Sequence, residues 1–183
     1  NPWRRRTWQH SLLTGAAARF LSNRVPGADA HEAFVAGMLH DLGEMILLEV
    51  IGTPYQEVLA MLPDPHPQRK ITERARFGCH HAEVGAACLE QWLLPDPLCK
   101  AVALHHSPKR ILKRYADGPM SLAELVWMAD SLAALSELKI VDRMPILERV
   151  ARSAIPRNRG LTAEDFLGIT ERLNDPALRQ HIL

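Results

Sequence analysis

Apolar residues recur at intervals of three and four along almost the whole chain, and this spacing restricts the fold to helices. The segment after Ser121 shows it most clearly, because Ser121 and Glu124 form the sequence pattern of a capping box ahead of a long apolar helix face. No β-branched run lies between turn residues in the way that a hairpin requires. We therefore predict an all-α fold, a compact domain of many helices.

The helix boundaries can be predicted from capping residues and from proline and glycine. The first helix is expected from about Trp3 to Asn23, because a Pro-Gly pair follows it. Asp29 marks the start of a second helix that is apolar around most of its girth as far as Leu47, which predicts a central position. We predict a helical core over residues 1–140 and a C-terminal helical extension over residues 141–183 that packs on the same domain.

Length and charge exclude several classes of protein. The chain has 183 residues, of which 47% are hydrophobic, enough to fill one core. Its 22 lysines and arginines against 21 acidic residues leave a net charge of +1, so nucleic acid is not a favoured partner. No apolar stretch approaches the ~20 residues of a membrane span. The basic N-terminus lacks the apolar core of a secretory signal, and a cytoplasmic location is expected.

Histidine and aspartate side chains interrupt the most apolar segments. His10 lies in the first predicted helix, His40-Asp41 in the second, and Asp130 in the helix after Ser121. A buried, ionised aspartate is costly unless it is hydrogen-bonded, paired with positive charge or bound to a metal. Imidazole and carboxylate together suit Fe, Mn, Co, Ni or Zn. On a continuous helix His40 and Asp41 would point about 100° apart, so ligands from other helices would have to complete such a site.

Four short motifs in a fixed order resemble the HDOD family, the HD-related output domains of bacteria. They are Trp8-Gln9-His10-Ser11, Gly37-Met38-Leu39-His40-Asp41-Leu42-Gly43, Gly78-Cys79-His80-His81-Ala82-Glu83-Val84-Gly85 and Ala103-Leu104-His105-His106. The ordered match spans about residues 3–135, and each motif alone is weak. The wider HD superfamily includes metal-dependent phosphohydrolases, and its HD-GYP branch degrades cyclic di-GMP. The resemblance implies a bacterial signalling domain with signalling proteins as partners.

The resemblance also implies a ligand set for two divalent transition-metal ions (Fe, Mn, Ni, Co or Zn). The first ion would be bound by His10, His40, Asp41 and Asp130, and the second by His81, His105 and His106, with Asp41 bridging. His40 and Asp41 would form the catalytic pair. Two such ions would lower the pKa of a shared water and direct it at a phosphorus atom, so the substrate would be a phosphate ester or a nucleotide. Arg6, Lys109 and Arg110 are candidate phosphate-binding residues.

Departures from the HD-GYP pattern keep a second interpretation open. HD-GYP proteins have a lysine where this chain has Glu44, and a Gly-Tyr-Pro segment follows their paired histidines, where this chain has Ser107-Pro108-Lys109. The alternative is therefore a non-catalytic HDOD regulatory module with vestigial ligands that binds partner proteins. Glu73 and Glu83 could orient ligand imidazoles, but we expect both on solvated helix faces.

Overall fold

The computed structural model describes residues 2–62, 68–115 and 118–182, and within these ranges it contains helices and no strand. The all-α prediction is confirmed. No helix in the described part of the chain is long and apolar enough to cross a membrane. The helices are α1 (Pro2–Ser22), α2 (Ala30–Leu39), α3 (Leu42–Val50), α4 (Thr53–Met61), α5 (Arg69–Phe77), α6 (His81–Gln91), α7 (Asp96–Leu104), α8 (Pro108–Tyr115), α9 (Leu122–Ser136), α10 (Ile140–Ala151), α11 (Ala154–Asn158), α12 (Ala163–Leu173) and α13 (Pro176–Ile182).

Helices α1, α2 and α9 form the centre of the fold, because α1 packs along both α2 and α9. The observed α1 begins and ends one residue before the predicted positions. The largest cluster of buried apolar side chains joins Leu13 and Leu21 of α1 to Leu132 of α9 and Phe166 of α12. Residues on both sides of position 140 therefore share this cluster, while the proposed division of the chain at residue 140 remains a prediction.

The predicted continuous helix through His40 and Asp41 is wrong. Asp29 caps α2 as expected, but α2 ends at Leu39 and α3 begins at Leu42, and Asp41 has the non-helical angles φ −102° and ψ 20°. Periodicity does not reveal this break because apolar residues continue on both sides of it. His40, the C-cap of α2, keeps helical angles, so the break frees the Asp41 side chain alone from a helical direction.

Two close helix contacts depend on glycine. A Cβ atom added to Gly43 would lie 1.8 Å from the carbonyl oxygen of His81 and 2.8 Å from the backbone nitrogen of Gly85, so α3 and α6 touch through their backbones. A Cβ on Gly37 would lie 2.8 Å from the Cα of Gly15, which gives α2 and α1 a similar contact. These contacts fix the elements on either side of the His40-Asp41 junction.

Candidate metal centre

Two groups of ligand-type side chains meet where α1, the α2–α3 junction, α6, α7 and α9 converge. Within each group, the candidate ligand atoms all lie within 4.8 Å of one another. One group comprises Asp41, His81, His105 and His106, and the other comprises His10, His40 and Asp130. The structure thus brings together all seven residues that the sequence singled out as metal ligands.

Asp41 lies between the two groups. Its Oδ2 atom is 3.1 Å from Nε2 of His40 in one group. Its Oδ1 atom is 3.4 Å from Nε2 of His105 and 3.7 Å from Nε2 of His81 in the other group. The carboxylate is therefore placed to serve both groups at once.

Asp130 of α9 also reaches both groups. Its Oδ1 atom is 3.0 Å from Nε2 of His10 and 3.9 Å from Nε2 of His40. Its Oδ2 atom is 3.7 Å from Nδ1 of His106. Two carboxylates, one at a helix junction and one on the central helix, hold the histidines in a single arrangement.

Backbone carbonyl groups fix the orientation of two of the imidazoles. Nδ1 of His40 lies 2.7 Å from the carbonyl oxygen of Gly37, and Nδ1 of His105 lies 2.6 Å from that of Val102. A carbonyl oxygen can only accept a hydrogen bond, so the Nδ1 atoms must carry the protons. Nε2 of His105 therefore directs a lone pair to the interior of the site, and Nε2 of His40 would do so once its proton is released.

A glutamate orients the third buried imidazole, and the prediction of a solvated position for it is wrong. Glu73 of α5 is fully buried, and its Oε2 atom accepts hydrogen bonds from Nδ1 of His81 at 2.7 Å and from the His81 backbone N–H at 3.0 Å. The hydroxyl of Tyr55 donates to Oε1 of Glu73 at 2.9 Å. Glu83, by contrast, is exposed as expected and pairs with Arg74.

Glu44, which replaces the lysine of HD-GYP proteins, is buried beside the centre. It accepts a hydrogen bond from the hydroxyl of Thr7 at 2.9 Å and forms an ion pair with Arg69 of α5. Nε of Arg69 also lies 3.4 Å from Oε1 of Glu73. The positive charge on this side of Asp41 thus comes from α5. Nothing in the motifs identifies Arg69, because it lies outside them.

The two central aspartates stay ionised despite their burial. Burial alone would raise the pKa of Asp41, but His40 and His105 outweigh it and hold that pKa well below the usual value. For Asp130, the hydrogen bond with His10 and the neighbouring imidazoles likewise overcome desolvation and lower the pKa.

The imidazoles divide into two kinds. Burial alone would lower the pKa of His40, but the carboxylates of Asp41 and Asp130 raise it to about 9. Burial lowers the pKa of His105 and, together with its histidine neighbours, holds that of His106 well below the usual value. Anionic carboxylates and neutral imidazoles are the forms that bind cations, and His40 would release a proton on binding.

Several buried atoms of the centre have no hydrogen-bond partner among the described residues. They are Nε2 of His40, His81 and His105, and Oδ1 of Asp41; the distances of 3.1 to 3.7 Å between these imidazoles and Asp41 are charge contacts without hydrogen-bond geometry. An unsatisfied buried polar group costs about 1–3 kcal/mol, and a cation bound among these atoms would satisfy them together. Imidazole and carboxylate without cysteine suit divalent Fe, Mn, Co, Ni or Zn. The residues present therefore fit such an ion.

A cavity of about 450 Å³ opens onto the centre beside His10 and Asp41. Arg6 lines it, whereas Lys109 and Arg110 lie exposed at the start of α8 and are not among its described lining residues; phosphate binding by these three residues remains a prediction. The prediction for Lys109 and Arg110 relied on their closeness along the chain to His105 and His106. Sequence reasoning missed two further arginines that line the cavity, Arg69 and Arg179.

Solved structures with the same fold come from several bacteria. An HDOD domain protein of unknown function from Geobacter sulfurreducens has a TM-score of 0.72 at 23% identity, covering 96% of this chain and 61% of its own. A "Putative phosphohydrolase" from Shewanella amazonensis SB2B has a TM-score of 0.67 at 24% identity over 91% of this chain and 58% of its own. The MmoQ response regulator from Methylococcus capsulatus str. Bath has a TM-score of 0.69 at 23% identity over 90% and 60%. At these identities the likeness shows the fold.

Sequence comparison identifies the family. An uncharacterized protein from Treponema pallidum (strain Nichols) is 30% identical over 110 residues, which are 57% of this chain and 20% of that relative. The chain thus spans about a fifth of that relative's length and about three fifths of the three structures. The HDOD domain family matches residues 2–108, more than half of the chain. This chain belongs to the HDOD family.

Proposed function

We propose that this HDOD domain is a bacterial signalling output domain that binds two divalent transition-metal ions (Fe, Mn, Ni, Co or Zn). His10, His40, Asp41 and Asp130 would hold the first ion, and His81, His105 and His106 the second, with Asp41 shared. One observation carries the proposal. Three buried Nε2 atoms and one carboxylate oxygen converge without hydrogen-bond partners among the described residues, in two groups that meet at Asp41.

The proposed reaction is hydrolysis of a phosphate ester or nucleotide. When bound, such ions activate a water molecule and neutralise phosphoryl oxygens. Asp41, buried between the groups, would hold both metal positions at a fixed separation, and the Gly37 carbonyl keeps Nε2 of His40 directed inward. Arg6 borders the cavity and would pair with a phosphoryl oxygen of the substrate. The description of the Shewanella neighbour, "Putative phosphohydrolase", supports this reaction class.

A non-catalytic regulatory module is the second candidate, and a specific observation favours it. The cation beside Asp41, Arg69, is already paired with Glu44 and Glu73, so it is poorly placed to neutralise a phosphoryl group in the way that a lysine at position 44 would. The MmoQ response regulator has the same fold, and this supports a role in signalling through partner proteins. For both candidates we propose the cytoplasmic location that the sequence predicts.

Elemental analysis separates metal binding from its absence. We expect about two equivalents of transition metal in chain purified without oxygen and with metal supplied, and loss of most of it in His40→Ala and Asp41→Asn. His31→Ala is the matched control, because His31 is exposed on α2. Less than about a tenth of an equivalent in the wild-type chain would refute the proposal.

Hydrolysis of bis-p-nitrophenyl phosphate then distinguishes the two candidates. A catalytic domain is expected to hydrolyse it when loaded with metal and to lose the activity in Asp41→Asn. Metal-loaded chain without activity on this ester or on nucleotides would instead support the regulatory module.

A further inference from the structure

Helix α5 meets the metal centre through charged residues. Its buried residues are Arg69 and Glu73, whereas Ile71 on the same helix is exposed. A surface helix normally buries an apolar stripe and exposes its charges. Buried charges are costly unless they are paired, so their position calls for a role in the centre that α5 covers.

The histidines of the centre differ in where they lie on their helices. His40 and His105 are C-cap residues, and each Nδ1–H donates to a carbonyl three residues earlier, at the end of its own helix. The last carbonyl groups of a helix lack partners within it, so they are available as acceptors. His81 is the first residue of α6, and a helix N-terminus presents N–H groups instead of acceptors.

Glu73 supplies the acceptor that the N-terminus of α6 lacks. One carboxylate accepts both the Nδ1–H and the backbone N–H of His81, which holds the ring with Nε2 3.7 Å from Oδ1 of Asp41. Tyr55 donates to the other oxygen of the carboxylate, and Arg69 lies beside it. A carboxylate is a stronger hydrogen-bond acceptor than a carbonyl, so it holds the bonded imidazole more firmly in one orientation.

We propose that Glu73 is a positioning residue for the second metal, acting through His81. This inference rests on the proposed two-metal function. Glu73 of α5 would orient His81 as backbone carbonyl groups orient His40 and His105. The second metal position would then depend on a helix that contributes no ligand of its own.

The test compares Glu73→Gln with Glu83→Gln by calorimetric titration of the metal-free chain with Mn²⁺ and with Co²⁺. We expect Glu73→Gln to weaken binding of one ion about tenfold to hundredfold and to leave the other within about twofold. Glu83 is the matched control because it is exposed on the neighbouring helix, and its variant should bind like the wild type. Equal weakening of both ions, or none, would overturn the proposal.

A second measurement needs no bound metal. Nitrogen-15 NMR of the histidine side chains in the metal-free chain should show the proton of His81 on Nδ1 in the wild type and shared between both nitrogens in Glu73→Gln. An unchanged ring in the variant would refute the positioning role, even if the wild-type chain bound no metal and the proposed function failed. Should Glu73→Gln not fold, Tyr55→Phe removes one hydrogen bond from Glu73 and is expected to weaken the same ion by a smaller factor.

Discussion

Replacing Gly43 by alanine tests whether the backbone contact between α3 and α6, which adjoins the candidate metal centre, stabilises the fold. The added Cβ would lie 1.8 Å from the carbonyl oxygen of His81, where real Cβ atoms essentially never come closer than 3.0 Å, and 2.8 Å from the nitrogen of Gly85. Both obstacles are backbone atoms, so no side chain can rotate away. The helices must separate by roughly 1 Å, which also moves Asp41 away from His81.

The expected loss of stability follows from two opposing effects. Overpacking in a tight core costs about 1–3 kcal/mol, and a clash between backbones belongs at the upper end of that range. Alanine recovers about 0.5–1 kcal/mol of helix propensity, so we expect the free energy of unfolding to fall by about 2 kcal/mol. Gly168 in α12 is the matched control, because a Cβ atom added there would have nothing within 4 Å. Gly168→Ala should gain about 0.5–1 kcal/mol.

Urea unfolding of the metal-free variants, followed by circular dichroism, measures both effects. We expect Gly43→Ala and Gly168→Ala to move the midpoint in opposite directions at a similar slope. A free energy of unfolding for Gly43→Ala within about 0.5 kcal/mol of the wild type would refute the reasoning, because surface substitutions alone produce changes of that size.

Three further predictions concern metal, pH and local order. Removing bound metal with a chelator should lower the melting temperature, because an ion at about 100 times its dissociation constant stabilises the folded chain by about 2.7 kcal/mol. Differential scanning calorimetry should show this decrease in His31→Ala but not in Asp41→Asn. The Thr162 backbone N–H, aided by Arg24, lowers the pKa of Asp165 below 3.8, so ionised Asp165 stabilises the fold above that pH and this stabilisation is lost as the pH falls further. The difference in unfolding free energy between the wild type and Asp165→Asn should therefore shrink between about pH 6 and about pH 3. A difference that stays constant over this range would contradict the prediction. Metal binding should slow amide hydrogen exchange in α5 more than in α12, because the buried charges of α5 contact the candidate centre. Equal slowing in both helices would contradict this coupling between α5 and the metal.

Local signals in the sequence predicted the helical elements well. The Ser121–Glu124 capping box and the Asp29 cap are both present, because each depends on residues within one helical turn. The break at His40-Asp41 was missed because it depends on the packing of α3 against α6, and the apolar pattern runs through it unchanged. Tertiary contacts, which periodicity does not encode, decide where this helix ends.

The candidate site was predictable where the motifs reach it and not elsewhere. The seven proposed ligands lie in or beside recognisable motifs, apart from Asp130, whose position in an apolar helix marked it. Arg69 and Glu73 carry opposite charges four residues apart, a spacing typical of a solvated helix surface. Only the position of α5 over the centre shows that these charges face inward.

The buried charges around the centre argue for a cation rather than a purely structural network. Four carboxylates lie buried there, those of Asp41, Glu44, Glu73 and Asp130, and the nearby buried guanidinium is that of Arg69. Even with His40 protonated, the carboxylates exceed these two positive charges. Apolar residues of similar volume would stabilise such a core as well or better. An excess of buried negative charge beside inward-facing imidazoles is therefore the arrangement expected where divalent ions complete the balance.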